Sequence, residues 1–382
     1  MSEVFDVAIV GAGMAGASLA YFLAPGTRVL LLEAESAPGY HTTGRSAAFY
    51  SETYGGPAVQ PLSSASRAFF DKPPPGFTEL PLLAPRGCLH VARAGCEDAL
   101  DAIQEAFAGS GVAIERTMAA AHDRGVLVPQ WRGAALWEPG CSDMDVGEIH
   151  RGFLGGARQH GARLVTDARL DGLERGGSGW RLRTSAGVFE AGNVVNAAGA
   201  WADVVAAMAG AAPLGIAPLR RTVAQVEVSP PPPRDLPLVM DAAGEFYFRP
   251  EGERLWVSPH DEVPDVAGDS QPDELDVATT IDRLESASLM RVRRVERAWA
   301  GLRCFAPDRA PVYGWDLRVP GFFWCAGQGG FGIQTAPAAG MLAAALLEGR
   351  ALPESLGAFG VDSARYAPGR FNPSATETRA VR

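Results

Sequence analysis

The feature that most constrains this chain is a glycine motif beginning at residue 11. Gly11, Gly13 and Gly16 have the spacing G-x-G-x-x-G, between the β-branched run 4–10 and a run of small, helix-forming residues. The next apolar run ends at Glu33. In a β-α-β unit of this kind the first glycine makes the turn, the second lets the backbone approach a pyrophosphate, and the third lets the helix pack on the strand. The acid accepts ribose hydroxyls, so the pattern predicts a dinucleotide-binding domain.

FAD and NAD share this fingerprint, and three further segments favour FAD. Segment 41–48 contains Arg45, Ser46 and several small residues, whose amides and hydroxyl can meet a diphosphate. Segment 196–201 ends a strand with a glycine turn, and segment 325–332 places a glycine-rich loop before the last predicted helix. A glycine loop at a helix N-terminus stabilises an anion, such as the flavin edge that becomes negative on reduction.

Composition limits the class of function. The chain has 382 residues, enough for two or three domains, and its 47% hydrophobic and 20% charged residues are typical of a folded globular protein. Lys and Arg total 34 against 44 Asp and Glu, a net charge of −10, so nucleic acid is not predicted as a partner. Five cysteines without a CxxC pair indicate neither a disulfide framework nor a zinc site.

The apolar stretch 7–24 is the one candidate for a membrane or signal segment. It lacks a preceding basic region and is interrupted by three glycines, so no targeting or transmembrane segment is predicted. The cysteine usage favours a reducing cytoplasm, with peripheral association at the inner face of a membrane as the alternative location.

Hydrophobic periodicity divides the rest of the chain into helices and strands. The spacing of Asp145 and Glu148 is that of a capping box, which predicts a helix from there to Gly161. Short strands are predicted between 163 and 196, and a second sheet-rich region begins near residue 217. The remaining predictions are strands at 221–228, 246–250, 255–258, 299–305 and 322–326, helices after 271 and at 333–347, and a loosely ordered tail after Tyr366.

Several stretches distributed along the chain resemble one family. They are GAGMAGAS, GYHTTGRSAA, ASRAFFDKPPPGF, NAAGAW, FYFRP, WAGLR and GQGGFGIQT. Through them the chain is similar to the amino-acid oxidase superfamily of FAD enzymes, which includes D-amino-acid oxidase, glycine oxidase and sarcosine oxidase. Within that superfamily it most resembles bacterial D-arginine dehydrogenase.

The resemblance implies an α/β fold of two domains. A Rossmann-like FAD-binding domain would consist of residues 1–83, 144–216 and 301–382. A substrate-binding domain of residues 84–143 and 217–300 would contribute a mostly antiparallel sheet over the reactive face of the flavin.

The resemblance also implies the residues that bind substrate. Arg221 and Arg303 would clamp the substrate carboxylate, and Tyr247 would contribute its hydroxyl to the same group. The Gly330 carbonyl would accept a hydrogen bond from the amine, and Tyr54 would be the gate over the pocket. The residue chemistry agrees with this, because two guanidinium groups suit bidentate recognition of a carboxylate.

The cofactor contacts implied by the resemblance come from the glycine motifs. They are Gly11, Gly13, Ala15, Gly16, Glu33, Arg45, Ser46, Ala47, Ala198, Gly199, Trp201, Gly327, Gly329, Gly330, Gly332, Ile333 and Gln334. Sarcosine oxidases attach FAD through a cysteine in the neighbourhood of Cys304, but the motif around Cys304 differs. Non-covalent FAD is therefore predicted.

Two positions depart from the pattern of D-arginine dehydrogenase. Cys88 stands where those enzymes have the acid that pairs with the substrate guanidinium, and Phe49 stands where they have a histidine. Without a counter-charge, a cationic side chain would be costly to desolvate, so both residues favour an uncharged substrate. No metal is predicted, because the capping box accounts for Asp145 and Glu148 and no pair of histidines completes a site.

The predicted activity is FAD-dependent oxidation of a D-α-amino acid to an imino acid, which water hydrolyses to a keto acid and ammonia. Two alternatives stay open. One is an oxidase of secondary amines or glycine, acting on sarcosine- or proline-type substrates; the other is a flavin subunit that functions only in a larger electron-transfer complex. The partners are an amino-acid substrate and an electron acceptor, either oxygen or a quinone. The sequence determines neither that acceptor nor the oligomeric state.

Overall fold

The structure is a computed structural model that describes residues 4–177 and 179–371. In the tail that the sequence predicts to be loose, Pro368–Phe371 form a short 3₁₀ helix, and residues from 372 onward lie outside the described range. No helix in the described ranges is both long enough and apolar enough to cross a membrane.

The regular elements alternate between strands and helices along the chain. The strands are β1 (Val4–Val10), β2 (Val29–Leu32), β3 (Phe49–Tyr50), β4 (Leu83–Pro85), β5 (Cys88–Val91), β6 (Glu115–Met118), β7 (Ala134–Glu138), β8 (Ser142–Met144), β9 (Arg163–Val165), β10 (Leu170–Gly176), β11 (Gly179–Thr184), β12 (Gly187–Asn196), β13 (Ala217–Ser229), β14 (Leu238–Asp241), β15 (Tyr247–Glu251), β16 (Arg254–Ser258), β17 (Val263–Pro264), β18 (Arg291–Phe305), β19 (Val312–Trp315), β20 (Phe322–Ala326) and β21 (Gln328–Gly329). The α-helices are α1 (Met14–Leu23), α2 (Gln60–Asp71), α3 (Asp98–Ala106), α4 (Val146–Gln159), α5 (Ala202–Met208), α6 (Glu274–Ala287), α7 (Ala336–Leu347), α8 (Glu354–Gly357) and α9 (Ser363–Tyr366).

The first sheet contains the nucleotide fold. Its strand order is β10-β11-β12-β1-β2-β9, with β20 paired to β12 and to β19. β1, β2, β9, β12 and β20 pair in parallel, as β-α-β connections require, whereas β10, β11 and β12 form the antiparallel meander expected from the sequence. Helices α1 and α7 cover one face around a core that includes Ile9, Leu19 and Leu342.

Two glycines of the motif are fixed by contacts at the end of β1. Gly11 has a φ of +102°, and a Cβ at this position would lie 2.4 Å from the Ala197 carbonyl oxygen. A Cβ on Gly16 would lie 1.9 Å from the carbonyl oxygen of Gly11. Because no larger residue fits at either position, both glycines are required for α1 to pack on the sheet.

The second sheet is larger and mostly antiparallel, which confirms the predicted fold class. Its order is β21-β18-β13-β16-β15-β14-β5-β7-β6, with β17 beside β13. One face packs on α6 through apolar residues such as Val226, Phe248 and Leu284. Since side chains alternate along a strand, the intervening residues point to the opposite face, part of which lines the cavity described below.

Three of the four predicted domain boundaries fall within strands, and the fourth, at 216/217, falls directly before β13. β3, β8 and β4 form a third, three-stranded sheet, and the boundaries at 83/84 and 143/144 cut through β4 and β8. The boundary at 300/301 falls inside β18, which stays in the second sheet to Phe305. β21 also pairs with β18, so the glycine loop that follows β20 belongs to both halves of the molecule.

Most predicted elements are present, but several have different ends. β13 begins at Ala217, β18 at Arg291, and the last apolar helix at Ala336 rather than at 333. At α4 the Asp145 carboxylate accepts from the Glu148 amide at 2.8 Å, as the capping box predicts. The Glu148 carboxylate instead binds neighbouring side chains, so only half of the capping box forms.

Two adjacent glycines in α4 test how closely α4 packs on α1. A Cβ on Gly156 would lie 2.3 Å from the Tyr21 ring of α1, whereas a Cβ on Gly155 would meet nothing within 4 Å. We expect Gly155→Ala to raise the free energy of unfolding by about 0.5–1 kcal/mol, because alanine favours the helix. Gly156→Ala should lower it by about 1–3 kcal/mol, because Tyr21 has to move. Thermal unfolding at matched FAD saturation measures both changes, and a stabilised Gly156→Ala protein would contradict the α1–α4 contact.

Candidate active site

One cavity of about 590 Å³ is lined by residues of both large sheets. The predicted site residues that line it are Gly11, Gly13, Ala15, Glu33, Arg45, Ser46, Ala47, Ala198, Gly199, Trp201, Arg221, Tyr247, Arg303, Gly329, Gly330, Gly332 and Ile333. Motifs from both ends of the chain and from its middle therefore meet around a single space.

Glu33 defines the dinucleotide end of the cavity. Its carboxylate accepts hydrogen bonds from the amides of Ala12 and Glu35, each at 3.1 Å. Glu33 is only 8% exposed, and these two bonds fix it at the end of β2 beside the glycine turn. A carboxylate held in this place can accept ribose hydroxyls, as the fingerprint requires.

The N-terminus of α1 also opens to this cavity. Gly13 occupies the N-cap position without a side-chain cap, and the Met14 amide donates to Thr43 Oγ1 at 3.0 Å. A Cβ on Gly13 would lie 3.3 Å from the same oxygen, so glycine keeps the approach to the helix end open. Amide groups at a helix N-terminus attract phosphate, and the cradle therefore fits the pyrophosphate of FAD.

Arg45 lines the cavity, but its guanidinium is directed at the second sheet. Nη1 donates to the carbonyls of Ser270 and Ala300, at 2.9 and 3.1 Å. Nη2 forms an ion pair with Asp269, and the Arg45 carbonyl accepts from Trp299 Nε1 at 3.0 Å. The side chain thus links the first-sheet side of the molecule to β18 and does not offer its charge to a diphosphate.

Three predicted cofactor residues do not line the cavity. Gly16 lies between α1 and β1 as described above. Gly327 has a φ of +73° and turns the chain directly after β20. Gln334 is buried, and its amide nitrogen donates to the carbonyls of Ser51 and Tyr54. These three residues do not contact the cavity but position the segments that line it.

The pairing of β13 with β18 brings the two substrate arginines together. Arg221 is opposite Gly301, and Arg303 is opposite Leu219. Directly opposed residues share a face, and residues two apart on one strand also share a face, so Arg221 and Arg303 lie diagonally on the same side. Arg220 alternates to the other side, where it pairs with Asp276 at 2.8 Å.

The two guanidinium groups differ in their partners. Arg221 is 4% exposed; its Nε donates to the Asp261 carbonyl at 2.7 Å and its Nη2 lies 3.3 Å from Glu262. Its Nη1 is buried without a hydrogen-bond partner. Arg303 forms no ion pair with any carboxylate within residues 4–177 and 179–371. Burial lowers the pKa of Arg221, and the nearby charge of Arg303 lowers it further.

Two further predicted residues, Tyr247 and Gly330, line this end of the cavity, and Tyr54 packs beside it without lining it. Tyr247 is 1% exposed and its hydroxyl has no partner, as is also true of the Tyr54 hydroxyl. Cζ of Arg303 lies 5.4 Å from the centre of the Tyr54 ring. A Cβ on Gly330 would lie 2.8 Å from the same Cζ, so the glycine backbone sits against the guanidinium. The unpartnered hydroxyls of Tyr54 and Tyr247 and the unpartnered Nη1 of Arg221 thus belong to one buried polar group that also contains Arg303.

His260 was not predicted and lies beside this group. Its ring stacks on Tyr54 at 6.2 Å and meets Tyr247 edge-on at 5.6 Å. Nδ1 lies 2.8 Å from the Gly244 carbonyl, which can only accept, so Nδ1 carries the proton. Removal from water and the charges of Arg221 and Arg303 lower the pKa of His260 to about 2, so the ring is neutral. Its left-handed φ of +58° is rare for a non-glycine residue, but no sequence motif marks the position.

The structure places Phe49 and Cys88 in the core and not at the cavity wall. The Phe49 ring packs edge-on against Tyr54 at 4.9 Å and against Tyr247 at 5.6 Å. Cys88 is fully buried in the same cluster and lies opposite Glu138 of β7. The expectation that Cys88 contacts the substrate side chain is corrected accordingly, because aromatic rings occupy this region.

The remaining candidates for cofactor or metal chemistry are accounted for by local contacts. Burial raises the pKa of the Cys304 thiol to about 12, so it is protonated and a poor nucleophile for covalent attachment of flavin. Cys88, His90 and Glu138 are the one group with potential metal-ligand spacing among the described residues. The Glu138 carboxylate is engaged in hydrogen bonds to Ser51, Thr53 and His90, which satisfy it without an ion.

Curated relatives match part of the chain. Hydrogen cyanide synthase subunit HcnC of Pseudomonas aeruginosa is 27% identical over 230 residues, covering 58% of this chain and 51% of the relative. Mitochondrial dimethylglycine dehydrogenase of Homo sapiens is 32% identical over 136 residues, covering 34% of this chain and 15% of the relative. The chain thus spans about half or less of the length of these relatives.

Solved structures match nearly the whole fold. Glycine oxidase from Geobacillus kaustophilus superposes with a TM-score of 0.81 at 24% identity, covering 97% of this chain and 99% of that one. L-proline dehydrogenase from P. horikoshii superposes with a TM-score of 0.82 at 22% identity, covering 98% and 99%.

A family model described as FAD dependent oxidoreductase matches residues 6–346, which include the glycine cradle, Glu33 and both arginines. This match assigns FAD as the cofactor, in agreement with the glycine cradle and with Glu33, whose carboxylate can accept ribose hydroxyls. The chain belongs to the FAD dependent oxidoreductase family.

Proposed function

We propose that this enzyme oxidises an uncharged D-α-amino acid to the imino acid, which water hydrolyses to a keto acid and ammonia. The observation that supports this best is the pair of incompletely neutralised guanidinium groups beside the unpartnered Tyr247 hydroxyl, in the cavity that carries the FAD cradle. The FAD cofactor, when bound, supplies the acceptor for the two electrons. The D configuration rests on the resemblance to D-arginine dehydrogenase.

The chain's own residues bind and orient the substrate. Arg303 and Nη1 of Arg221 would bind the carboxylate, and Tyr247 would donate to it from the side. The Gly330 carbonyl would accept from the amine, which fixes the Cα hydrogen relative to the carboxylate. No described residue is positioned as a base with a suitable pKa, since His260 titrates far below neutrality, so the ammonium proton would leave to solvent.

The distribution of charge supports an uncharged side chain. The acids that line the cavity are Glu33, Glu35 and Asp171, and all three lie near the ribose end, where the Glu33 carbonyl also accepts from Ala168. At the other end the cavity meets Arg221 and Arg303, which repel a cation. A cationic side chain would therefore be desolvated without a partner.

A secondary-amine or glycine oxidase is the second candidate. Neighbours in structure are named glycine oxidase and L-proline dehydrogenase, and a curated relative is named dimethylglycine dehydrogenase. These names share a substrate carboxylate, which the same two arginines would bind. A third reading, a flavin subunit of a larger complex, is supported by the subunit name of HcnC.

Anaerobic bleaching of the flavin separates these candidates. The purified holoenzyme is mixed with D-amino acids, their L enantiomers, glycine, sarcosine and proline, and the absorbance of oxidised flavin is followed. We expect the fastest bleaching with an uncharged D-amino acid. Faster bleaching with sarcosine or proline would favour the second candidate, and no bleaching with any of them would favour the subunit. Reoxidation by oxygen or by a soluble quinone then identifies the acceptor.

The carboxylate clamp predicts the effect of replacing either arginine. Losing one charge-assisted hydrogen bond should lower kcat/KM by about ten- to a hundredfold in Arg303→Met and Arg221→Met, with FAD content retained. Arg303→Met is the cleaner variant, because Arg221→Met also deprives Asp261 and Glu262 of a partner. Arg116→Met, which removes an exposed ion pair with Asp101, is the matched control and should have normal kinetics. Normal kinetics in both active-site variants would contradict the assignment.

The protonated state of Cys304 predicts one non-covalently bound FAD per chain. Acid precipitation should release the yellow colour into the supernatant, because a thiol whose pKa is about 12 does not add to the flavin at neutral pH. Colour retained in the pellet would reveal a covalent link. The Cys304→Ala variant is the control and should bind the same amount of FAD as the wild type.

The packing of Phe49 behind Tyr247 predicts which substrates the enzyme prefers. We expect wild-type kcat/KM for D-alanine to exceed that for D-leucine, and D-arginine to be the poorest, since Phe49 supports the Tyr247 and Tyr54 rings in the direction in which a long side chain would have to extend. Phe49→Ala should raise the ratio of D-leucine to D-alanine by about tenfold, because a cavity replaces the ring. Phe359→Ala, at an exposed ring, is the control. A wild type that prefers D-arginine would mean that a buried acid becomes available to the substrate.

A further inference from the structure

The segment that carries Tyr54 is bonded to the second sheet along its whole length. Residues 51–54 connect β3 to the turn before α2. The hydroxyls of Ser51 and Thr53 donate to Glu138 Oε2 at 2.9 and 2.7 Å. The Glu52 amide donates to Glu138 Oε1 at 2.7 Å. One carboxylate therefore binds three consecutive residues immediately before Tyr54.

A second anchor comes from the loop after the flavin glycines. Gln334 donates to the carbonyls of Ser51 and Tyr54 at 3.0 and 3.1 Å, and accepts from the Ser51 amide at 3.2 Å. The segment is thus held from both halves of the molecule, and the hydroxyls of Ser51 and Thr53 are satisfied by protein groups, whereas the Tyr54 hydroxyl is not.

Glu138 is buried and ionised. It is 1% exposed, and His90, which is 3% exposed, places Nε2 at 3.2 Å from Oε2. Burial alone would raise the pKa of Glu138, but the bonds from His90, Thr53 and Ser51 hold it below its usual value. A buried charge is costly to desolvate, and here it is compensated entirely by groups of the 51–54 segment and by His90.

The anchored residues 51–53 determine where the next residue, Tyr54, lies. Its ring lies against Arg303, Phe49 and Phe331, with Cζ of Arg303 at 5.4 Å and the ring centres of the phenylalanines at 4.9 and 5.3 Å. The Tyr54 ring therefore covers one side of the Arg303 guanidinium.

We infer that Glu138 is a positioning residue, which acts through Ser51 and Thr53 to hold the Tyr54 ring against Arg303, beside the substrate site. This inference rests on the proposed function, because it takes the region beside Arg303 as the substrate site. A segment ordered in advance costs less to bind against than one that must be ordered by the substrate. Loosening the anchor should therefore weaken substrate binding more than it slows the chemical step.

A double-mutant cycle tests whether the anchor acts through Tyr54. Thr53→Val removes one donor to Glu138 without changing side-chain volume much, and should raise KM about five- to thirtyfold while kcat changes by less than about threefold. Tyr54→Ala should raise KM at least as much. In the double variant KM should match that of Tyr54→Ala within about twofold, because the anchor has lost what it positions. Effects that multiply would show that Thr53 and Glu138 act elsewhere, and would overturn the inference.

Hydrogen exchange gives a readout that needs no substrate. In the holoenzyme, Thr53→Val and Glu138→Gln should increase deuterium uptake in the peptide spanning 51–55, while Thr280→Val, which removes a buried hydroxyl within α6, should leave it unchanged. Unchanged uptake in both anchor variants would overturn the inference. If the wild-type flavin is bleached by no amino acid, the proposed function fails, and the uptake experiment still decides whether Glu138 anchors the segment.

Discussion

The alternation of side chains along the second sheet determines which residues meet at the site. One face of this sheet carries the polar residues of the site and their neighbours. From β18 across β13, β16, β15, β14 and β5 to β7, these residues are Arg303, Arg221, Ser258, Tyr247, Met240, Cys88 with His90, and Glu138. The other face is the apolar core under α6. A slip of one residue between β13 and β18 would turn one arginine into that core. Burial of the apolar face therefore also fixes the register that places both arginines on the polar face.

The constraint that follows is electrostatic. Two guanidinium groups on one face, partly removed from water, repel each other and lower the pKa of Arg221 in addition to the effect of burial. Arg221 is partly compensated by Asp261 and Glu262, whereas Arg303 has the Tyr54 ring and the Gly330 backbone. The charge that is left over is therefore mainly that of Arg303. Under the proposed function, a substrate carboxylate would supply the missing anion, so binding would relieve a repulsion that folding had to overcome.

The sequence predicts the nucleotide half well because its signals are local. Gly11, Gly16 and Glu33 belong to one β-α-β unit, and Gly16 is required by a contact with Gly11 in the same motif. The contact that requires Gly11 comes from Ala197, far away in sequence, but the motif spacing already identifies the position. The substrate half depends on registers between strands far apart in the chain, which no local pattern encodes. Cys88 illustrates the difference, since its alignment is plausible in sequence, yet Phe49 and Tyr247 fill the space in front of it. His260 and Glu138 belong to no motif, and only the folded sheet brings them to the site.

Under the proposed function, the position of Glu138 would allow the site to favour an uncharged side chain although this acid lies opposite Cys88. A free carboxylate there would attract a cationic side chain. Glu138 is instead surrounded by Ser51, Thr53, the Glu52 amide and His90, and a cation could use it only by displacing those donors. Displacing them would release the segment that places Tyr54 over Arg303. Binding a cationic side chain would therefore loosen the Tyr54 ring that covers Arg303. Glu138 cannot both pair with a cationic substrate and hold the segment that carries Tyr54.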